Sequence, residues 1–249
     1  MRRFSSLALV LVLAACGGSA DTSDRSTPAS DRAGSSAPPT STTTAPPVLP
    51  RCVSDAADLV TLTVPDGAAR AYVSGTGTAA VVLSHQSDGD LCQLADTAKR
   101  LQALGYRTVS VDNPDNDPAV PRAGADYARA HGAKKIVYLG TSIGGTMSLF
   151  AAGTDSAQAV AALSAPASWF GKDAKAAIAT VKAPVFLAAG SADADYAPDT
   201  RDLAAAARRS SHVETTVVAG SSAHGVALLA PGAVLTRLEA FLAKYAPPR

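Results

Sequence analysis

Beyond about residue 58 the chain alternates between two hydrophobic patterns. Short runs rich in branched apolar residues recur at 80–83, 108–111, 136–139, 159–163, 185–189 and 213–218, with the length and near-continuous apolarity of strands covered on both faces. Between and after them, stretches at 92–104, 120–130, 146–152, 173–181, 199–208 and 234–245 carry helix-compatible patterns. Ahead of this series, 58–64 and 69–74 alternate around Pro65-Asp66-Gly67, turn chemistry that predicts an antiparallel hairpin at a sheet edge. Strands alternating with helices specify an α/β domain: a mostly parallel, doubly wound sheet of about eight strands with helices on both faces. Ligands of such sheets bind beyond the carboxyl ends of the strands, so candidate chemistry belongs there.

The amino-terminal segment follows other rules. Met1-Arg2-Arg3, the apolar run 7–15 and the small residues before Cys16 form a secretory signal, too short for a membrane-spanning helix. A cysteine directly after Ala14-Ala15 resembles a bacterial lipobox, which implies a lipoprotein cleaved after residue 15 and lipidated on Cys16. From 16 to 50 the chain is dominated by Ser, Thr, Pro, Gly, Ala and Asp, with too little apolar surface to offset the entropy of ordering, so a stalk is expected there. The folded domain is expected over 51–249. The chain is thus expected to be exported and held by its lipid in the outer leaflet of the cytoplasmic membrane or elsewhere in the cell envelope. Export permits disulfides, and the two remaining cysteines, Cys52 and Cys92, form either a pair or free buried thiols.

Composition narrows the function classes. With 47% hydrophobic residues and a formal net charge of +1, the chain has no basic stripe of the kind nucleic-acid binding requires.

Gly140-Thr141-Ser142-Ile143-Gly144 reads G-x-S-x-G where an apolar run gives way to a helix-compatible stretch. A serine at such a corner is held in a tight turn with its hydroxyl raised, the arrangement of a hydrolase nucleophile. A hydroxyl needs a base, and four histidines are available. His131 suits a helix carboxyl terminus, and His212 precedes a strand at the opposite sheet edge. His224 follows the last strand and emerges at the same edge as Ser142; His85, in the loop after the strand at 80–83, is its competitor. Gly190-Ser191-Ala192-Asp193-Ala194-Asp195 leaves another strand end and offers an orienting acid, Asp193 or Asp195. Donors for a developing oxyanion are expected from the backbone N–H of Ile143 and of either Gln86 or Ser87. Asn113 to Asp117 is acidic but lacks a spaced ligand pattern, so it reads as a turn and helix start, and no metal is assigned.

With these residues placed, the domain resembles the α/β-hydrolase superfamily over nearly its whole length. Ser142, Asp193 and His224 stand in that family's chain order. Ser84-His85-Gln86 occupies the place of its His-Gly oxyanion loop, departing at Gln86. Only 164–172 stands where many members carry a lid, so the domain looks compact and lidless, similar to dienelactone-hydrolase-like and small esterase-like proteins. The resemblance implies a serine hydrolase, carboxylesterase-like, acting on a small-molecule acyl substrate without a cofactor; Trp169 and Met147 are candidate substrate contacts or else ordinary core or rim residues, core being the preferred reading. An acyltransferase using the same nucleophile, or a non-catalytic surface binding lipoprotein, stays open from the residues alone. The oligomeric state is left open as well.

Overall fold

The structure, a computed structural model, describes residues 48–249. The signal segment, Cys16 and nearly all of the expected stalk lie outside the described residues. Ten strands and six helices follow in chain order: β1 Leu59–Val64, β2 Gly67–Ser74, β3 Ala79–Ser84, α1 Ala95–Ala103, β4 Arg107–Val111, α2 Ala119–Ala130, β5 Lys135–Thr141, α3 Ile143–Thr154, β6 Ala159–Leu163, β7 Ser168–Trp169, β8 Lys172–Asp173, α4 Ala174–Ile178, β9 Val185–Gly190, α5 Tyr196–Ala206, β10 Val213–Val218 and α6 Ala233–Tyr245. Eight of the strands form one sheet in the order β1-β2-β4-β3-β5-β6-β9-β10. β1 pairs antiparallel with β2, β2 antiparallel with β4, and every later pair is parallel.

The pleat explains why the central strands are apolar throughout. Ala80 and Val82, Ile136 and Tyr138, and Val185 and Leu187 bury toward one face, where α2, α3, α4 and α5 pack. Their neighbours Val81 and Leu83, Val137 and Leu139, and Phe186 and Ala188 bury toward the other, against α1 and α6. A strand sandwiched this way has no polar face to display, which is what the continuous apolar runs encode. The expected architecture is therefore present: a mostly parallel sheet, helices on both faces and no large lid.

Element boundaries differ in instructive places. α1 begins at Ala95, not near residue 92, because residues 90–94 are spent in turns in which Asp90 Oδ1 accepts the Cys92 N–H at 2.8 Å. α5 begins at Tyr196, before Asp199, whose carboxylate accepts the Ala167 N–H at 2.9 Å and so braces a neighbouring loop. The two-residue strands β7 and β8 form a small antiparallel hairpin turning through Phe170 and Gly171, which have φ of 39° and 79°. Strands so short leave no periodicity to read. Residues 113–117 form the expected turn and helix start: Asn113 Oδ1 accepts the Asp117 N–H and Asp117 Oδ1 accepts the Ala119 N–H. Among the described residues, no cluster of three or more ligating side chains is placed to hold a metal, and no helix is long and apolar enough to cross a membrane.

Cys52 and Cys92 form a disulfide with Cα atoms 5.4 Å apart. It closes a loop across a sequence separation of 40, which by chain entropy stabilises the fold by about 4 kcal/mol. The bridge packs with Val53 and Leu91 in a small separate cluster and secures the amino-terminal segment to the loop between β3 and α1.

Candidate active site

Ser142 is the one-residue corner between β5 and α3, with φ 51° and ψ −127°. A non-glycine residue adopts this left-handed region at a cost, so the surroundings must impose it. They do so through close approach. A Cβ at Gly140 would run into the Gly144 backbone, and one at Gly144 would run into the Ser84 and His85 carbonyls. Glycine at both positions lets α3 start hard against β5 and β3, and the Ser142 N–H closes the corner on Leu163 O at 2.8 Å. Ser142 is largely buried, with 8% of its surface exposed.

The candidate acid and the candidate base meet. Asp193, in the turn after β9, places Oδ2 3.0 Å and Oδ1 3.2 Å from Nδ1 of His224, which stands in the loop after β10. Asp195, the alternative acid, is exposed and sits at the α5 cap position. The Tyr196 ring flanks the imidazole with centroids 4.3 Å apart. Burial pushes the Tyr196 phenol up from its ordinary value, helped by the charges of Asp193, Asp195 and Asp199, so this side of the rim is rich in carboxylate. On the other side, hydrogen bonding from the Gln86 side chain holds Asp88 below the usual carboxylate range, and the nearby His224 adds a smaller pull in the same direction.

His224 is brought next to the Ser142 corner by its neighbours. A Cβ at Gly225 would lie 3.5 Å from the Thr141 Cβ, so the residues following the histidine and preceding the serine are packed together. Among the described residues the Ser142 hydroxyl has no hydrogen-bond partner within 3.5 Å, His224 included. Serine-to-histidine hydrogen bonds are often long in the absence of substrate and tighten in the complex.

The other histidines are committed elsewhere. His85 is buried at 5% exposure; its Nε2 accepts the Asn113 N–H at 2.9 Å, which leaves Nδ1 protonated to donate to Gln86 O at 2.7 Å. Both ring nitrogens are occupied, so His85 shapes its loop and is no base for Ser142. His131 caps α2, bonding Tyr127 O through Nδ1 and stacking on the Tyr127 ring. His212 packs against Tyr245 just ahead of β10.

The two expected sources of a second oxyanion donor separate. The Gln86 N–H is taken by the Gln93 side-chain oxygen at 2.9 Å. Ser87 N–H has no acceptor among the described residues, nor has Ile143 N–H, which opens α3 and lies beyond the reach of any intrahelical carbonyl. Gln93 is thus a residue that sequence reasoning missed, since a glutamine seven positions on carries no pattern.

Met147 corrects an expectation. It has no exposed surface, because α3 is buried on nearly every side, so here it is a core residue that faces no cleft. Trp169 is half-buried in the β7–β8 hairpin, edge-on to the exposed Phe170 ring at 5.0 Å. A groove of about 560 Å³ opens between the turn after β1, the end of β4 and Lys172 of the hairpin, lined by Arg70, Asp112, Asn113 and Asp115 among others. Neither Ser142 nor Trp169 lines it.

The strand order, the single antiparallel β2 and a strained serine between β5 and α3 together define the α/β-hydrolase fold. Comparison with solved structures agrees. An esterase of Pyrococcus furiosus superposes with a TM-score of 0.66 at 16% identity, over 75% of this chain and 91% of its own. A dienelactone hydrolase of Anabaena variabilis gives 0.59 at 21%, over 75% and 94%, and the esterase domain of a Rhodothermus marinus protein gives 0.60 at 18%, over 75% and 98%. No protein-family model matches the sequence, and no curated protein matches it.

Proposed function

We propose that this chain is a serine hydrolase that cleaves an ester or related acyl bond of a small molecule. Ser142 Oγ attacks the carbonyl carbon while His224 Nε2 takes its proton. Asp193 holds Nδ1, fixing the tautomer and stabilising the imidazolium that forms. The N–H groups of Ile143 and Ser87 receive the developing oxyanion. His224 then returns the proton to the leaving alcohol, and water repeats the cycle on the acyl-enzyme. The observation that carries this reading is the paired hydrogen bond between His224 Nδ1 and Asp193 on the same rim as a serine held at φ 51°. The esterases and the dienelactone hydrolase of the same fold support the choice of bond. In this reading the enzyme works outside the cytoplasmic membrane on a lipid tether, a proposal that the signal-like segment and Cys16 support.

Replacing Ser142 by alanine tests the core of it. Turnover of p-nitrophenyl acetate is expected to fall at least about 1,000-fold with the melting temperature nearly unchanged, and a fluorophosphonate is expected to label the parent protein once, on Ser142. Retained turnover in Ser142→Ala removes this residue from the chemistry. Absence of labelling in the parent favours a binding protein that has kept the fold.

A further inference from the structure

His224 is followed by a short 3₁₀ turn, Gly225–Leu229, and its own side chain provides no cap for that turn. The first N–H groups of such a turn have no internal acceptor and must find one elsewhere. Here they find two side chains from the loops that follow β6 and β3. Gly225 N–H donates to Ser164 Oγ, and Val226 N–H donates to Gln86 Oε1, each at 3.1 Å. Ser164 has a second bond: its hydroxyl donates to Asp193 Oδ2 at 2.7 Å, the oxygen that also lies 3.0 Å from His224 Nδ1. One hydroxyl therefore touches both the acid and the backbone of the residue after the base.

Ser164 has no exposed surface, so it is placed to act on other residues and not on a substrate. It also holds φ at 49°, where glycine would sit without strain. A serine there costs the backbone something and returns a hydroxyl. Gln86 stands where the resembling family places glycine, and its amide oxygen reaches across to the same turn.

We infer that Ser164 and Gln86 are positioning residues that clamp the His224 turn from opposite sides, Ser164 also fixing the rotation of the Asp193 carboxylate. Without the Ser164 hydroxyl the carboxylate loses one of its two side-chain donors, a buried N–H loses its acceptor, and the imidazole is freer to swing from Ser142. This inference rests on the triad proposed above.

The test compares kcat and KM for p-nitrophenyl acetate in Ser164→Ala, Ser164→Gly and Gln86→Ala, with Ser142→Ala alongside and thermal melting of each. Glycine at 164 relieves the backbone while deleting the hydroxyl, so it separates a turn-forming role from a positioning one. Expected is a fall in kcat of roughly 10- to 100-fold for both Ser164 variants, with KM within about twofold of the parent. Wild-type kcat in Ser164→Gly overturns the inference. Should the Ser164 variants fail to fold, Gln86→Ala decides, being partly exposed; it removes the Val226 acceptor and also the side chain's bond to Asp88, so Asp88→Ala is run alongside: a loss of about tenfold in kcat that Asp88→Ala does not share is expected, and no loss, or an equal loss in Asp88→Ala, overturns the clamp. If Ser142→Ala also turns over substrate, the nucleophile assignment is at fault; if it is dead while Ser164→Gly is fully active, only the clamp falls.

Discussion

Two aspartates in this molecule sit in near-identical company and do opposite work. Asp155, after α3 at the amino end of the sheet, accepts the Tyr138 hydroxyl at 2.5 Å and an Arg129 N–H at 2.6 Å on one oxygen, and the Ser156 N–H on the other. Asp193, at the carboxyl end, accepts the Ser164 hydroxyl at 2.7 Å and faces His224 Nδ1 at 3.0 Å. Each carboxylate has a hydroxyl and a nitrogen donor. The difference lies in the nitrogen. A guanidinium stays charged at any ordinary pH and gives Asp155 nothing to exchange, whereas an imidazole can hold a proton on one ring nitrogen and accept one on the other. The backbone differs too: Ser142 and Ser164 on the carboxyl side hold φ near +50°, while no residue of the Asp155 network has a positive φ. One end of the sheet is built to stay as it is; the other, under the function proposed above, holds a reactive arrangement at some cost to stability.

Replacing each aspartate by asparagine separates the two roles most widely. Asp193→Asn is expected to lower kcat by about 10,000-fold, because the amide no longer holds the productive imidazole tautomer, while the urea midpoint moves little. Asp155→Asn is expected to do the reverse, keeping kcat per folded molecule and losing about 2 kcal/mol of unfolding free energy, an amount discounted because Arg129 is one-third exposed. A large stability loss in the first variant, or a large loss of kcat in the second, would break the contrast.

Acid titration sharpens it. Burial alone would raise the Asp155 carboxyl, but hydrogen bonds from Arg129 and Tyr138 outweigh it and hold the group below its ordinary 3.8. The folded state then binds this proton less tightly than the unfolded chain. Asp155 contributes its full stabilisation above that ordinary value and loses it as pH falls through the lowered one. The stability gap between the parent and Asp155→Asn, followed by urea unfolding at a series of pH values, is expected to be constant near neutrality and to close below 3.8. A gap that persists unchanged at the acid end would mean that shape, not charge, is what Asp155 supplies. At the alkaline end burial, with the Asp155 bond behind it, pushes the Tyr138 phenol far above its ordinary range, so this network stays intact until well beyond it.

How much of this was legible in the sequence follows the same division. The central strands and covering helices announce themselves because burial on two faces leaves a periodic trace over many residues. Ser142 was legible since its corner needs glycines at fixed offsets, and Asp193 and His224 because chain order and strand ends restrict where an acid and a base can stand. Ser164 was not. Its partners lie 29 and 61 positions away, and a lone serine after a strand looks like any other. Gln86 and Gln93 were illegible for the same reason, so the choice between Gln86 and Ser87 as donor waited on where one amide oxygen points. Met147 was left between cleft and core, and turned out to be core, because a helix buried all round gives no clue to which apolar side chains reach a cleft. Patterns record burial; pairings across the fold record themselves only in coordinates.

The smallest effect concerns strain itself. Phe170 shares the left-handed backbone of Ser142 and Ser164, with φ 39°, yet its side chain is 88% exposed and hydrogen-bonds nothing. It occupies the first central position of a two-residue hairpin turn ahead of Gly171, where asparagine is the favoured residue and a bulky aromatic is penalised. At the rim that carries Ser142 and Ser164 the strained residues are locked by close backbone packing and hydrogen bonds, so relieving their φ is expected to gain less than the lost contacts cost. At residue 170 only the edge-on contact with Trp169 opposes the relief. Phe170→Asn is therefore expected to stabilise the domain by about 1 kcal/mol, read as a small rise in the urea midpoint at unchanged m-value. A loss of stability would show that the edge-on contact with Trp169 outweighs the turn, and that strain in this molecule is offset by contacts even where the side chain faces solvent.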